Sequence, residues 1–207
     1  MSTPTHRETE QTEREPIVAT NNAAKPTKVI TGEVRLAYAN LLTPRAPQPG
    51  ADPKFSTVLL IPKEDTATIK KIKRAQQAAL EEGAGKVFGG KIPKVWKNTL
   101  RDGDEEADLE RNPEYEGMMF MNVSSKTKPG LVDRSLVELI DQTEVYSGMY
   151  ARVSINAFAY SFQGSKGVSF GLNNVQKLRD GEAFAGSSRA ADDFDALDDD
   201  DDDDDLI

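Results

Sequence analysis

"MYARVSINAFAYSF", residues 149–162, decides how this chain is read. Side chains of a strand alternate between its two faces, so residues of like parity share a face. The odd face carries Met149, Ala151, Val153, Ile155, Ala157 and Ala159. These are small and apolar, suited to the tapering interior of a small barrel. The even face carries Tyr150, Arg152, Ser154, Asn156, Phe158, Tyr160 and Phe162, rings interleaved with a guanidinium and an amide.

The segments around it complete a mainly β architecture. "QGSKG" is a turn into "VSFGLNNVQKL" (168–178), predicting a hairpin with the long strand. "MMFMNVSS" (118–125) is expected as a neighbouring strand, with Met119, Met121 and Val123 facing one way and Phe120, Asn122 and Ser124 the other. "KVITGEVRLAY" (28–38) reads as one strand with Ile30, Val34, Leu36 and Tyr38 on its buried face. "LLTPRAPQPGADP", with four prolines, breaks that strand, and "KFSTVLLIP" (54–62) forms the next. "TATIKKIKRAQQAALEEG" places Ile69, Ile72, Ala75, Ala79 and Leu80 at helical spacing, with a basic outer side and an end at Gly83. Residues 83–117 are a long loop-like excursion, of a length that is uncommon without a function. The fold expected is a small antiparallel β-barrel with one main helix and long loops.

The ends differ from this body. Residues 1–27 are polar and read as a disordered N-terminal arm, and 183–207 as a disordered acidic C-terminal tail, leaving 28–182 as the single domain. The tail carries Asp198, Asp199, Asp200, Asp201, Asp202, Asp203, Asp204 and Asp205, followed by Leu206 and Ile207. Net charge is −9, but eleven of the 35 acids lie at Asp192, Asp193, Asp195 and the run from Asp198 to Asp205. Without them, 24 acids face 26 lysines and arginines, a mildly basic body on an acidic tail.

Several function classes lose their chemistry here. The chain has no cysteine, and its one histidine, His6, lies in the polar arm, so thiolate sites and His-based catalysis have no ordered residue to use. "GAGKVFGGKI" satisfies GxxxxGK with Gly85, Gly90 and Lys91, but Ile92 stands where the Mg²⁺-binding hydroxyl belongs, and the segment follows a helix. Asp102, Asp104, Glu105 and Glu106 lack the spacing of a calcium loop. A solvated acidic loop is one reading of them, and a metal-dependent nuclease the other. No cofactor, metal or catalytic residue is expected. No apolar run approaches the ~20 residues of a membrane span, and the N-terminal stretch lacks the apolar core of a signal peptide, which predicts a cytoplasmic protein without a membrane partner.

What remains is a surface for unpaired bases. Rings stack on bases, while arginines and amides meet phosphates and base edges. Phe120, Tyr150, Arg152, Phe158 and Tyr160 are the candidates on the two strands. The alternative places Phe120, Phe158 and Phe162 in a second core layer under the helix. Lys94, Lys97 and Arg101 around Trp96, with Lys126, Lys128 and Arg134, supply cations in flanking loops. Trp96 is either a stacking platform or a plug that closes its loop onto the barrel. The aspartate run imitates a phosphate chain and, tethered to a basic groove, would compete with nucleic acid. Leu206 and Ile207 then offer an apolar hook to a protein partner. A purely tail-based interaction adaptor is the third class of reading.

The words "TGEVRLAYANLLTPR", "FSTVLLIPK", "TLRDGDEE", "NVSSKTKPGLVDR", "EVYSGMYARVSINAFAY" and "GLNNVQKLRDGE" together resemble the Enc-type group of phage single-stranded DNA-binding proteins. The resemblance implies an OB-fold that coats single-stranded DNA in phage replication, recombination or repair, in the cytoplasm of an infected bacterium. It also implies a tail that recruits replication proteins such as a polymerase, helicase or primase. Tail exchange between protomers would favour a homodimer. Related proteins usually end in Phe, where this chain has Leu206-Ile207.

Overall fold

The computed structural model describes residues 25–184. The aspartate run, Leu206, Ile207 and residues 1–24 of the expected arm lie outside the described residues. Eight strands form one sheet: β1 (Lys28–Ile30), β2 (Val34–Arg45), β3 (Lys54–Pro62), β4 (Arg101–Asp102), β5 (Met118–Ser125), β6 (Gly130–Val132), β7 (Tyr150–Phe162) and β8 (Ser165–Arg179). The main helix α1 runs Thr66–Lys86, and a single turn, α2, runs Gly103–Glu106. No helix among the described residues is long and apolar enough to cross a membrane.

Five strands close a ring in the order β2-β3-β5-β8-β7, and β7 returns to β2 through Val34↔Ala151 and Arg35↔Tyr150. This is the OB-fold arrangement, a five-stranded partly open barrel. Most pairings are antiparallel, but β5 and β6 both run parallel to β8. The β7–β8 hairpin turns through Gln163 and Gly164, both with positive φ (47° and 78°), the conformation a two-residue hairpin turn needs.

The ring interior follows the parity expected of β7. Met149, Ala151, Val153, Ile155 and Ala157 are all buried, together with Leu36, Leu59, Ile61, Met121, Val123, Val168, Phe170 and Leu172. Helix α1 packs Ile72, Ala75, Ala79 and Leu80 into the same core. Asp65 caps its N-terminus by accepting from the Thr68 amide at 3.0 Å. Gly83 does not end the helix, which continues to Lys86. A Cβ at Gly83 would lie 2.4 Å from the Ala159 Cβ, so the glycine is there to let α1 approach β7.

Three expectations need correcting. The 28–38 segment is two strands, because β1 pairs with β7 while most of β2 pairs with β3. Thr31–Glu33 make the break: the Thr31 amide bonds the Val153 carbonyl and the Gly32 amide bonds Thr68 Oγ1. Ile30 and Tyr38 are consequently exposed, not buried. β2 also runs on through Pro44 to Arg45, past the expected proline break. Finally, β5 and β7 are not neighbours; β8 lies between them.

Candidate nucleic-acid interface

The outer face of β2, β3 and β5 carries a continuous groove. Three cavities of about 720, 330 and 720 Å³ follow one another along it. Tyr38 lines the first and second; Ser56 and Asn122 line the second and third.

The floor is a second apolar cluster of Ala37, Val58, Leu60, Tyr115 and Phe120, on the opposite side of the sheet from the main core. It exists because β3 is apolar on both faces: Leu59 and Ile61 point in, while Val58 and Leu60 point out. The 103–117 excursion covers it. Lys63 holds the start of that excursion by pairing Asp102 at 2.5 Å and Asp104 at 2.6 Å, which keeps both carboxyls below their usual range. Asp104 also accepts from the Gly117 amide at 2.7 Å, joining the two ends of the loop. These acids thus tie the loop, and among the described residues no group of three His, Cys, Asp or Glu is placed to hold a metal ion. The Tyr115 ring meets Phe120 edge-on, 5.0 Å between centroids, and burial pushes its phenol up to about 12.

Cations stand along the walls. Arg101 lies 4.2 Å over the Phe120 ring. Arg111 lines the first cavity, and Arg45 and Lys54 the third. Arg35 at the near end is sandwiched between the rings of Phe184 (4.2 Å) and Tyr150 (5.4 Å), and donates to the carbonyls of Gly148 and Glu182. Towards the far end a row of small polar residues crosses the sheet, Asn40↔Ser56↔Ser124↔Gly171↔Asn156. The exposed Phe158 ring lies beside Gly171, so this row connects the groove to the outer face of β7.

The expected site residues divide between these places. Arg101 and Phe120 sit in the groove, but Phe120 is only 5% exposed and forms its floor, not an open platform. Lys126, next to the third cavity, pairs with Asp52 at 2.8 Å. Lys128 is exposed on the following loop. Arg152, Phe158 and Tyr160 lie on the outer face of β7, two strands from β5, so the single β5–β7 surface expected from parity does not form. Phe158 and Phe162 are exposed and are no core layer under the helix. Arg152 donates to Gln176 at 2.7 Å, and Arg134 lies on the same side, where its carbonyl meets Gln176. Tyr150 is not free to stack: Arg179 covers its ring at 3.3 Å and Gly181 packs against it. Trp96 packs on the main core as a plug, with Lys94 and Lys97 exposed beside it. Lys97 pairs its backbone with Lys166 and Val168, fixing that loop along β8.

Sequence reasoning missed Arg35, Tyr38, Arg45, Lys54 and Arg111. Arg45 and Lys54 flank the proline-rich β2–β3 connection, and a barrel of this type uses that loop for ligands, which is the signal that could have found them.

The five-stranded ring is shared with solved relatives. The family model described as the single-stranded DNA-binding protein of Enterobacter phage Enc34 matches residues 27–207. The chain belongs to the Enc34 single-stranded DNA-binding protein family. Protein p50 of Acyrthosiphon pisum secondary endosymbiont phage 1 is 33% identical over 181 residues, covering 82% of this chain and 94% of that protein. The bacteriophage Enc34 protein, solved in complex with single-stranded DNA, is similar with a TM-score of 0.67 at 26% identity, over 78% of this chain and 91% of that one. The bacteriophage T7 single-stranded DNA-binding protein shares the fold, with a TM-score of 0.55 at 13% identity, over 80% of this chain and 91% of its own.

Proposed function

We propose that this member of the Enc34 family binds single-stranded DNA along the β2-β3-β5 groove, without strong sequence preference and without catalysis. The observation that carries the reading is the groove itself: an apolar, aromatic floor walled by Arg35, Arg45, Lys54, Arg101 and Arg111. Rings accept the faces of any base and arginines follow the phosphates, so such a groove tolerates sequence and responds to salt. The Enc34 protein's complex with single-stranded DNA supports the assignment.

In this reading the protein coats DNA strands exposed during phage replication, recombination or repair, in the host cytoplasm. The acidic tail competes with DNA for the groove and, when displaced, offers Leu206 and Ile207 to a polymerase, helicase or primase; tail exchange also favours a homodimer. Supporting the competition, Glu182, Ala183 and Phe184, where the domain passes into the tail, line the first cavity.

The test is fluorescence-anisotropy titration of labelled oligothymidine with the full chain and a 1–190 truncation. With three to five groove cations meeting phosphates, log K should fall with log salt with a slope of about −2 to −3.5. Tighter binding by the truncation at low salt supports the competing tail; equal binding removes it, and no binding by either form removes the single-strand reading.

A further inference from the structure

Tyr38 is the residue of the groove whose conformation the fold alone does not explain. Its φ is +48°, in the left-handed region that a bulky residue rarely occupies. The pairing of β2 with β3 slips between Ala37 and Asn40, a bulge that turns the side chain of Tyr38 away from the core its parity predicts. Tyr38 is 58% exposed, so burial of apolar surface does little to compensate the strained backbone. The ring is held upright instead: its hydroxyl donates to Asn112 Oδ1 at 3.1 Å across the groove, the Tyr38 carbonyl accepts from Asn40 Nδ2 at 3.1 Å, and the next amide bonds Ser147 Oγ at 3.0 Å. Strain of this kind persists where the surroundings over-determine it, and it clusters at ligand clamps.

The ring stands as the wall of the smallest cavity, about 330 Å³. Facing it are the Phe120 and Tyr115 rings and the Val58 side chain, with Arg101 lying on Phe120. At the rim stand Ser56 and Asn122, the latter exposed, its backbone paired in the sheet and its side-chain amide without a hydrogen bond to another described residue. An aromatic wall, an apolar floor and a free amide that both donates and accepts are the elements of a pocket for one flat heteroaromatic ring with a polar edge.

Resting on the single-strand reading above, we propose that this cavity takes one nucleobase turned out of the bound strand, stacked on Tyr38, and that the strained bulge is kept for that contact. Arg101 then meets the phosphate flanking the extruded base, while the Asn122 amide meets its edge. The other bases of the strand pass along the wider cavities on either side.

The experiment separates backbone strain from base contact. In Tyr38→Gly the left-handed φ becomes free of cost and the ring is gone. The expected result is a melting temperature unchanged or a few degrees higher, with affinity for oligothymidine at least tenfold weaker, since stacking of one base by an aromatic contributes on that scale. Tyr38→Phe, which loses only the bond to Asn112, should bind within about threefold of wild type. The preference for oligothymidine over an abasic oligomer of equal length should shrink in Tyr38→Gly by the same factor as the affinity. Wild-type affinity for Tyr38→Gly, or a loss equal for base-bearing and abasic strands, overturns the pocket while leaving the groove in place. A fall in melting temperature alongside affinity in Tyr38→Gly would also overturn it, by making the ring structural. Absence of oligothymidine binding by the wild-type chain overturns the groove and the pocket together.

Discussion

Replacing Arg35 by Ala tests whether the chain's own C-terminal segment is clamped into the end of the groove. The guanidinium donates to the Gly148 carbonyl at 3.0 Å and the Glu182 carbonyl at 2.6 Å, and lies between the Phe184 and Tyr150 rings. Only one other described hydrogen bond ties Phe184 down, from its amide to the Ser147 carbonyl at 3.1 Å. A hydrogen bond from a charged donor contributes about 1.5–3 kcal/mol, and the half-exposed setting puts the Glu182 bond near the lower figure. The cation-π contact to Phe184 adds about 0.5–1 kcal/mol at such a site. The local opening free energy of 182–184 should thus drop by about 2 kcal/mol, a factor of roughly 30 in the opening equilibrium.

Native-state hydrogen exchange reads this directly, because the Phe184 amide exchanges only when the segment lifts. Arg35→Ala should speed that amide by about 30-fold while amides of the ring interior, such as Val153 and Ile155, change by less than about threefold. Arg35→Lys keeps charge but not the flat guanidinium, and should fall between the two. If Phe184 exchanges at the wild-type rate in Arg35→Ala, the clamp is not what holds the segment, and the reasoning from Arg35 to a tail that leaves from the groove fails.

Three further outcomes follow from the geometry. Gly83→Ala should lower stability by about 1–2 kcal/mol in urea titration, because overpacking against the Ala159 Cβ outweighs the gain in helix propensity, and Ala159→Gly should restore part of the loss. Trp96→Ala should lower the melting temperature yet leave affinity for oligothymidine within about twofold, since the indole packs on the main core; a loss of affinity at unchanged melting temperature would return it to the DNA surface. The Tyr115 phenol, raised to about 12 chiefly by burial, favours the folded state fully below its unfolded value near 10, and that contribution is lost as pH rises towards 12. Stability should therefore fall across that window, and Tyr115→Phe should flatten the fall.

Much of the fold was legible because it rests on local patterns. The period of two in β7 located the ring interior, and the helical spacing of Ile72, Ala75, Ala79 and Leu80 located the stripe of α1. Gly83 was read as a helix end because a glycine's freedom is a local property, whereas its actual role, close approach to Ala159, depends on a strand 76 positions away in sequence. The surface assembled from β5 and β7 failed for a related reason: parity says which side chains share a face, but not which strands adjoin. With β8 inserted between them, Phe120 and Phe158 look out from different parts of the barrel.

The site was harder to read than the core because it depends on departures from those patterns. Phe120 and Tyr150 are aromatic residues of the kind that stacks on bases, yet one is sunk into the groove floor beside the 103–117 excursion and the other is covered by Arg179. Tyr38, placed inside by strict alternation, is outside because one irregular pairing shifts the register and turns the next side chain over. A bulge has no residue signature strong enough to see in a single chain, least of all with a tyrosine where glycine would be easiest. Where every local rule agrees the chain has a core; where a rule is broken and the break is held by three hydrogen bonds, the chain has something to bind. Tyr38→Gly restores the local rule and removes the ring, so a protein that becomes no less stable and binds DNA poorly is the result that links the two.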